Sequence, residues 1–259
     1  MDLGIRDRRA IVCGASRGLG RACAAALARE GVALTIVARG SAALAAAAQE
    51  IAATTGATVT PVAADITTSD GRAAVLAECP ALDILVNNAD GRPPGDFRTW
   101  TRDDWIDALD TMMLCHIEMM RAAVDGMMAR RFGRIVNIVS RSVKVPQVEL
   151  GLSNGARSGL VGFTAGLARE TVACNVTINN LLPGIFDSNA QREHVAAMVA
   201  ESGKSFEELW QARAAANPAR RFGRPEELGE LCAFLCGANA GFITGQNLLI
   251  DGGSYPGTY

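Results

Sequence analysis

The sequence RAIVCGASRGLGRACAAALA, residues 9–28, joins a short apolar run to an alanine-rich helical pattern through a glycine-rich turn. Gly14, Gly18 and Gly20 permit a tight turn and a close approach of the backbone to a phosphate group. A phosphate there also meets the positive end of the following helix dipole. The spacing is G-x3-G-x-G, not the common G-x-G-x-x-G. The turn predicts a nucleotide site, with a turn that binds nothing as the alternative.

Short apolar runs and longer helical patterns alternate along the rest of the chain. The apolar runs include ALTIVA at 33–38, LDILVNNA at 82–89 and GRIVNIVS at 133–140. Apolar strands separated by helices are typical of a parallel sheet whose two faces are both covered. We therefore predict a single α/β domain over residues 1–259, a doubly wound parallel sheet of about seven strands with helices on both faces. Ligand sites of such sheets lie beyond the carboxyl ends of the strands.

Composition excludes several functional classes. Hydrophobic residues make up 49% and charged residues 20% of the chain, as in ordinary globular proteins. The formal net charge of −2 provides no basic field for nucleic acid and no polybasic patch for a membrane. No apolar run reaches the length of a membrane span, and the N-terminus lacks a signal-peptide core. Seven cysteines without metal-ligand spacing and two histidines predict free thiols, a cytoplasmic location and no metal site.

The end of the second apolar run indicates which dinucleotide the turn would bind. A carboxylate at this position would bind a ribose 2′-hydroxyl, whereas an arginine suits a 2′-phosphate. The run ends VAR, so Arg39 follows Ala38 and no acid is present. Arg17 in the glycine-rich turn is a second cation. The two arginines favour NADP(H) over NAD(H), unless both are only solvated surface residues.

Six motifs follow one another in an order that resembles the short-chain dehydrogenase/reductase family. They are CGASRGLG (13–20), ADIT (64–67), DILVNNA (83–89), GRIVNIVS (133–140), NNLLPG (179–184) and ITGQNLLIDGG (243–253). The resemblance covers nearly the whole chain and is greatest to the 3-oxoacyl-carrier-protein reductase-like branch. It implies a single Rossmann-type domain, a homotetramer or homodimer, and carbonyl reductase or alcohol dehydrogenase chemistry with NAD(P)H on a small-molecule substrate.

The resemblance also implies a set of cofactor-binding residues. Asp65 and Ile66 would meet the adenine, Pro183 and Gly184 would flank the nicotinamide, and Ser188 would contact its carboxamide. The segment 185–217 is expected to form a lid that carries substrate specificity. Together with the turn and the two arginines, the predicted cofactor-binding residues are Gly14, Ser16, Arg17, Gly18, Leu19, Gly20, Arg39, Asp65, Ile66, Asn88, Ala89, Arg157, Pro183, Gly184 and Ser188.

The chain departs from the family at its catalytic residues. The family uses Asn, Ser, Tyr and Lys: the phenol exchanges a proton with the substrate oxygen, and the Lys lowers the pKa of the phenol. Ser140 matches the Ser, but Met112 takes the Asn position, Ser153 the Tyr position and Arg157 the Lys position. The only two tyrosines of the chain lie at its C-terminus. No shift of the alignment therefore restores a Tyr-x-x-x-Lys motif.

These replacements change the chemistry that the site can perform. An aliphatic hydroxyl is a far weaker acid than a phenol, so Ser153 can orient or relay a proton but is a poor proton source. Arg157 is planar and permanently charged, and it can bind ribose hydroxyls or stabilise a developing alkoxide. We therefore predict Ser140, Ser153 and Arg157 as the catalytic set. The alternative is a helix-capping Ser153 with Arg157 on the helix surface.

A different proton donor is needed if the chain is a reductase. The candidates are Lys144, His116, Asp90 and water, and Tyr255 is a further one if it reaches the site of a neighbouring subunit. Ser142 is expected to share the role of Ser140 if the alignment is displaced by two residues. Each of these side chains also has a purely structural interpretation, such as loop surface or terminal packing.

Three functional hypotheses remain open at this point. The first is an NADP(H)-dependent oxidoreductase with a non-standard active site. The second is a non-redox enzyme on the same scaffold, a lyase or an isomerase. The third is a nucleotide-binding protein that has lost catalysis. The preserved glycine-rich turn and its associated motifs favour retention of the cofactor.

Overall fold

A parallel sheet of seven strands forms the centre of the protein, in a computed structural model that describes residues 2–258. Each neighbouring pair of strands runs parallel. The order β3-β2-β1-β4-β5-β6-β7 reverses direction beside β1, which is the position where doubly wound sheets bind ligands. The strands are β1 (Arg9–Cys13), β2 (Ala33–Ala38), β3 (Val59–Ala63), β4 (Ile84–Asn87), β5 (Gly133–Ile138), β6 (Val176–Pro183) and β7 (Asn247–Ile250).

Nine α-helices in residues 2–258 cover the sheet and its carboxyl edge. They are α1 (Gly18–Arg29), α2 (Ser41–Thr55), α3 (Ser69–Ala77), α4 (Arg102–Leu109), α5 (Cys115–Ala129), α6 (Gly151–Thr171), α7 (Asn189–Ser202), α8 (Phe206–Ala216) and α9 (Pro225–Cys236). None of these helices combines the length and apolar character that a membrane crossing requires. The predicted lid segment 185–217 contains α7 and α8.

The side chains of each central strand alternate between two apolar cores, as the period of a strand requires. In β1, Val12 packs in the core beneath α1, α2 and α9. Its neighbour Ile11 packs in the opposite core, with α3, α5 and α6. Helices therefore cover both faces, and the predicted fold class is confirmed.

A turn of π-helix interrupts the long helical pattern that the sequence shows before β5. The turn spans Asp110–Leu114 and separates α4 from α5. It carries Met112, which is 1% exposed and packs against α6. Insertions of this kind occur frequently at functional sites. This part of the chain therefore forms two helices joined by a wider turn.

A row of asparagine side chains crosses four neighbouring strands, β4 to β7. The Asn87 amide donates to Asn137 (2.9 Å), Asn137 donates to Asn180 (2.9 Å), and Asn180 donates to Asn247 (2.8 Å). The four residues occupy paired positions in the sheet register. Because buried amides require partners, this row stabilises the pairing of β4 to β7. The sequence motifs contain all four asparagines, but their pairing becomes visible only in the register.

Candidate active site

A cavity of about 770 Å³ lies at the carboxyl edge of the sheet. Its wall consists of the segments at and after the ends of β1 to β6, together with side chains from α4, the π-helical turn and α6. Thirteen of the predicted site residues lie on this wall: Gly14, Ser16, Arg17, Gly18, Leu19, Arg39, Asp65, Ile66, Asn88, Ala89, Arg157, Pro183 and Ser188. Segments far apart in sequence therefore meet in one place because the parallel strands end at the same edge.

The glycine-rich turn is held by contacts that only glycine permits. Gly14 has a φ of +61°, and its carbonyl accepts a hydrogen bond from the Asn88 amide at 3.3 Å. A Cβ on Gly14 would lie 2.5 Å from that amide nitrogen, and a Cβ on Gly20 would lie 2.3 Å from the Gly14 oxygen. Gly20 is not part of the cavity wall. Its role in the structure is to let α1 pack directly beneath the turn.

Gly184 also lies behind the cavity wall. Its N–H donates to the Ile250 carbonyl at 3.0 Å, and a Cβ would lie 2.7 Å from the Asp251 Cβ. This glycine allows the segment after β6 to stay against β7. Pro183, one residue earlier, lies on the wall.

Arg157 projects from α6 to the carboxyl end of β5 and is 8% exposed. Its Nε donates to the Ser153 Oγ at 3.1 Å, and its Nη1 donates to the carbonyls of Ile138 (3.3 Å) and Val139. Burial, opposed by the nearby charge of Asp90, lowers the pKa of Arg157 to about 10. The guanidinium therefore remains protonated at neutral pH while it lines the cavity.

The structure excludes the interpretation of Ser153 as a helix cap. The N-cap residue of α6 is Leu150, and Ser153 lies inside the first turn of the helix. Ser153 is 8% exposed, and its hydroxyl accepts a hydrogen bond from Arg157 one turn later. The alternative of a capping Ser with a surface Arg is therefore wrong for both residues.

The arginines of the cavity wall differ in how their charge is balanced. Three of the four form ion pairs: Arg17 with Glu193 (2.8 Å), Arg39 with Asp90 (2.7 Å), and Arg92 with Asp107. In the described part of the chain, no carboxylate lies within 4.0 Å of the Arg157 guanidinium. Because an unpaired buried cation is costly, Arg157 is the wall residue best suited to bind an oxygen that carries negative charge.

Ser140 lies two residues after the end of β5, in the segment that contacts this arginine. It directly follows Val139, whose carbonyl binds Arg157. The Ser140 Oγ accepts the Ser142 N–H at 3.1 Å and thereby caps a short 3₁₀ turn, Arg141–Val143. Neither Ser140 nor Ser153 forms part of the cavity wall. The Ser142 Oγ is buried and has no hydrogen-bond partner among residues 2–258.

The other proton-donor candidates lie in different surroundings. The Asp90 carboxylate lies on the wall but is 71% exposed and paired with Arg39. Lys144 is half-buried off the wall, with its Nζ 5.5 Å from the centre of the Tyr255 ring. The Tyr255 backbone N–H donates to the Asp251 carboxylate of its own chain at 2.8 Å. Tyr259 lies outside the described residues.

His116 lies in the interior beside the π-helical turn and is 1% exposed. Neither ring nitrogen has a hydrogen-bond partner in the part of the chain that the structure describes. Burial, and to a smaller degree the charge of Arg157, lower the pKa of His116 to about 3. The ring is therefore neutral at neutral pH and carries no imidazolium proton for a substrate.

We expect His116→Leu to reduce the sensitivity of the fold to acid. The pKa of His116 is lower in the folded than in the unfolded protein, so stability is present above about pH 6.5 and is lost as the pH falls from there towards 3. One pKa unit corresponds to about 1.4 kcal/mol, so the loss at pH 5 is about 2 kcal/mol. Urea unfolding at pH 7.5 and pH 5 measures this difference. The half-buried His194 is the control: if His194→Gln removes the acid loss and His116→Leu does not, the assignment is wrong.

A cluster of three polar residues on the wall, Arg92, Asp107 and Thr111, was not predicted from the sequence. Arg92 lies in the loop after β4, Asp107 lies in the last turn of α4, and Thr111 lies on the π-helical turn. Arg92 forms an ion pair with Asp107 and donates to the Thr111 Oγ at 3.2 Å. In the sequence, Arg92 is distinguished only as a charged residue shortly after a predicted strand. Nothing in the sequence distinguishes Asp107 or Thr111 as site residues.

The family of the chain follows from comparison with known proteins. A family model described as enoyl-(acyl carrier protein) reductase matches residues 14–255. The chain belongs to the short-chain dehydrogenase/reductase family. A 3-oxoacyl-(acyl-carrier-protein) reductase from Vibrio harveyi is 32% identical to this chain over 260 residues. The match covers 98% of this chain and 99% of the relative.

Two further reductases are similar to this chain, one found by its sequence and one by its structure. The NADPH-dependent reductase BacG from Bacillus subtilis is 29% identical, covering 95% of this chain and 97% of the relative. The crystal structure of L-sorbose reductase from Gluconobacter frateurii, complexed with NADPH and L-sorbose, superposes with a TM-score of 0.95. That structure is 28% identical in sequence, and the match covers 100% of both chains. The predicted family resemblance is thereby confirmed.

Proposed function

We propose that this protein is an NADP(H)-dependent oxidoreductase that interconverts a carbonyl and an alcohol on a small-molecule substrate. The observation that carries the proposal is the buried, protonated Arg157 on the wall of a cavity built around a glycine-rich turn. The relatives named above support the reaction class, because their names describe reductases. In this proposal, Arg157 and Ser153 replace the Lys and Tyr of the family.

The residues of the cavity fit a phosphorylated dinucleotide. The backbone at Gly14 and Gly18 lies on the cavity wall, where a phosphate can approach it, and a Cβ on Gly18 would meet only the Ser188 Cβ, at 3.9 Å. Arg17 and Arg39 place two cations on the same wall, and Ala38 leaves no acid at the end of β2. These residues would hold NADP(H) in preference to NAD(H). When bound, the nicotinamide supplies or accepts the hydride.

Arg157 provides the charge stabilisation in this proposal. Its Nε and Nη1 are engaged by Ser153 and by two strand carbonyls, and its Nη2 lies 3.7 Å from the Cβ position of Gly91 on the wall. Nη2 is therefore the donor available to an oxygen in the cavity. A guanidinium that is already positioned stabilises an oxyanion without reorganisation at the moment of reaction.

The two serines would orient the substrate oxygen and its proton. The Ser153 Oγ accepts a hydrogen bond from Arg157, so its own proton is directed to a second acceptor. Ser140 does not line the cavity and would have to turn towards it to bind the carbonyl oxygen. Because an aliphatic hydroxyl does not supply a proton readily, the source of the proton is proposed to be water, Lys144 or Asp90.

A lyase or isomerase on the same scaffold is the second candidate. It is favoured by the replacement of the family's phenol by the Ser153 hydroxyl, since such reactions can proceed with an oxyanion binder and no phenol. A nucleotide-binding protein without catalysis is less well supported, because Arg157 is kept buried and charged at the cavity. We further propose a homotetramer or homodimer and a cytoplasmic location, as is typical of such reductases.

Cofactor titration tests the first part of the proposal. We expect NADPH to raise the unfolding free energy by about 2.7 kcal/mol at a hundred times its Kd, and NADH to do so only at higher concentration. Thermal unfolding with increasing concentrations of each nucleotide measures both affinities. If neither nucleotide stabilises the protein, the proposed cofactor and the proposed reaction are both contradicted.

A further inference from the structure

An ion pair crosses the cavity above the glycine-rich turn. The Arg39 Nη2 lies 2.7 Å from the Asp90 Oδ2, and both residues line the cavity. Arg39 follows β2, and Asp90 stands three residues after the end of β4. Since β1 lies between these two strands in the sheet, the pair spans the end of β1, from which the turn emerges. Any dinucleotide on the turn must share this space with the pair.

The carboxylate and a 2′-phosphate would compete for the same donor. Both are anions that a guanidinium binds through charge-assisted hydrogen bonds. A phosphate that binds Arg39 must displace Asp90 or accept the repulsion of a carboxylate beside it. NAD(H) has no phosphate at this position and gains nothing from Arg39 in return. The negative charge of Asp90 therefore weakens the binding of NADP(H) more than the binding of NAD(H).

A second arginine of the cavity wall, in the glycine-rich turn itself, is also paired with an acid. Arg17 is bound by Glu193 of α7 at 2.8 Å. Glu193 does not itself line the cavity, whereas Asp90 does. Asp90 is also the acid whose charge acts most on Arg157. Of these two paired acids, Asp90 is thus the one that lies on the cavity wall.

We propose that Asp90 is an internal competitor for the 2′-phosphate and sets the preference of the protein between NADP(H) and NAD(H). In the free protein its carboxylate occupies Arg39, and a bound 2′-phosphate takes its place. This inference rests on the proposed function, because it assumes that the cavity binds a nicotinamide dinucleotide.

Asp90→Asn is expected to tighten NADPH binding more than NADH binding. The exposed ion pair between Arg39 and Asp90 is weak, and so is the repulsion between the Asp90 carboxylate and a bound 2′-phosphate. We therefore expect the Kd for NADPH to fall about threefold to tenfold at low salt. The Kd for NADH should change by no more than about twofold, and the difference should shrink in high salt. Fluorescence titration of the purified protein measures all four constants. Asp96→Asn, which removes an exposed carboxylate paired with Arg98 at 3.1 Å and off the wall, is the matched control.

Adenosine 2′,5′-bisphosphate and AMP isolate the 2′-phosphate from the rest of the cofactor. Asp90→Asn should tighten the bisphosphate and leave AMP unchanged, and this gain should disappear in an Arg39→Met background. An unchanged or reduced preference for NADPH in Asp90→Asn, with binding intact, would overturn the inference and leave the proposed function standing. Absence of binding by both nucleotides to the wild-type protein would contradict the proposed function and the inference together.

Discussion

Arg157→Ala is expected to lower kcat/KM for carbonyl reduction by about 10²- to 10³-fold, the usual cost of removing one preorganised oxyanion donor. The guanidinium is buried, protonated and unpaired with any carboxylate in residues 2–258, and it faces the cavity. Its loss should therefore reduce kcat more than it weakens the binding of NADPH. Steady-state oxidation of NADPH, together with a separate NADPH titration, distinguishes the two effects.

Arg157→Lys is the control for this first prediction. Lysine keeps the positive charge but loses the fork that holds Ser153 and the two strand carbonyls. We expect it to retain more activity than Arg157→Ala, and thermal unfolding of both variants establishes that they are folded. A near-normal rate for a folded Arg157→Ala protein would mean that Arg157 has only a structural role.

The double variant Ser153→Tyr/Arg157→Lys is expected to raise kcat for carbonyl reduction by about 10²- to 10⁴-fold, the usual contribution of a positioned general acid. It restores the Tyr-x-x-x-Lys pattern at positions that lie one helical turn apart beside β5. A phenol has an ordinary pKa of about 10, and a neighbouring cation lowers it towards neutrality. The pH dependence of kcat should accordingly show a new ionisation below pH 10.

Ser153→Phe/Arg157→Lys provides a variant of matched size without the phenol oxygen. It should fold as the tyrosine variant does and should show neither the gain in rate nor the new ionisation. Equal rates in the two double variants would show that the missing acid does not limit this protein. The reaction would then depend on another donor or belong to a different class.

The fold could be predicted from local pattern, because each strand of the sheet is a short apolar run between helical patterns. The glycine pattern of the turn predicted where the ligand site lies. The structure explains the pattern, because a side chain on Gly14 or Gly20 would collide with its neighbours. The π-helical turn at Asp110–Leu114 could not be predicted. Its hydrophobic spacing differs too little from that of a continuous helix.

The residues of the candidate site could be predicted from motif order, but their partners could not. Ser153 and Arg157 are four residues apart, and their spacing alone allowed either a surface or a buried position. Burial against Ile138 and Val139 depends on how α6 packs on β5, which no local pattern encodes. Likewise, the pairing of Arg39 with Asp90 depends on strand order, because 51 residues separate them in sequence.

The proposed reductase activity is tested most directly by steady-state oxidation of NADPH by the wild-type protein with ketones, aldehydes and 3-oxoacyl thioesters, measured by absorbance against a control without substrate. We expect turnover above background with at least one of these carbonyl classes, and loss of that turnover in Arg157→Ala. Tight NADPH binding without turnover on any of them would contradict the proposed reductase and favour a non-redox role for the same cavity.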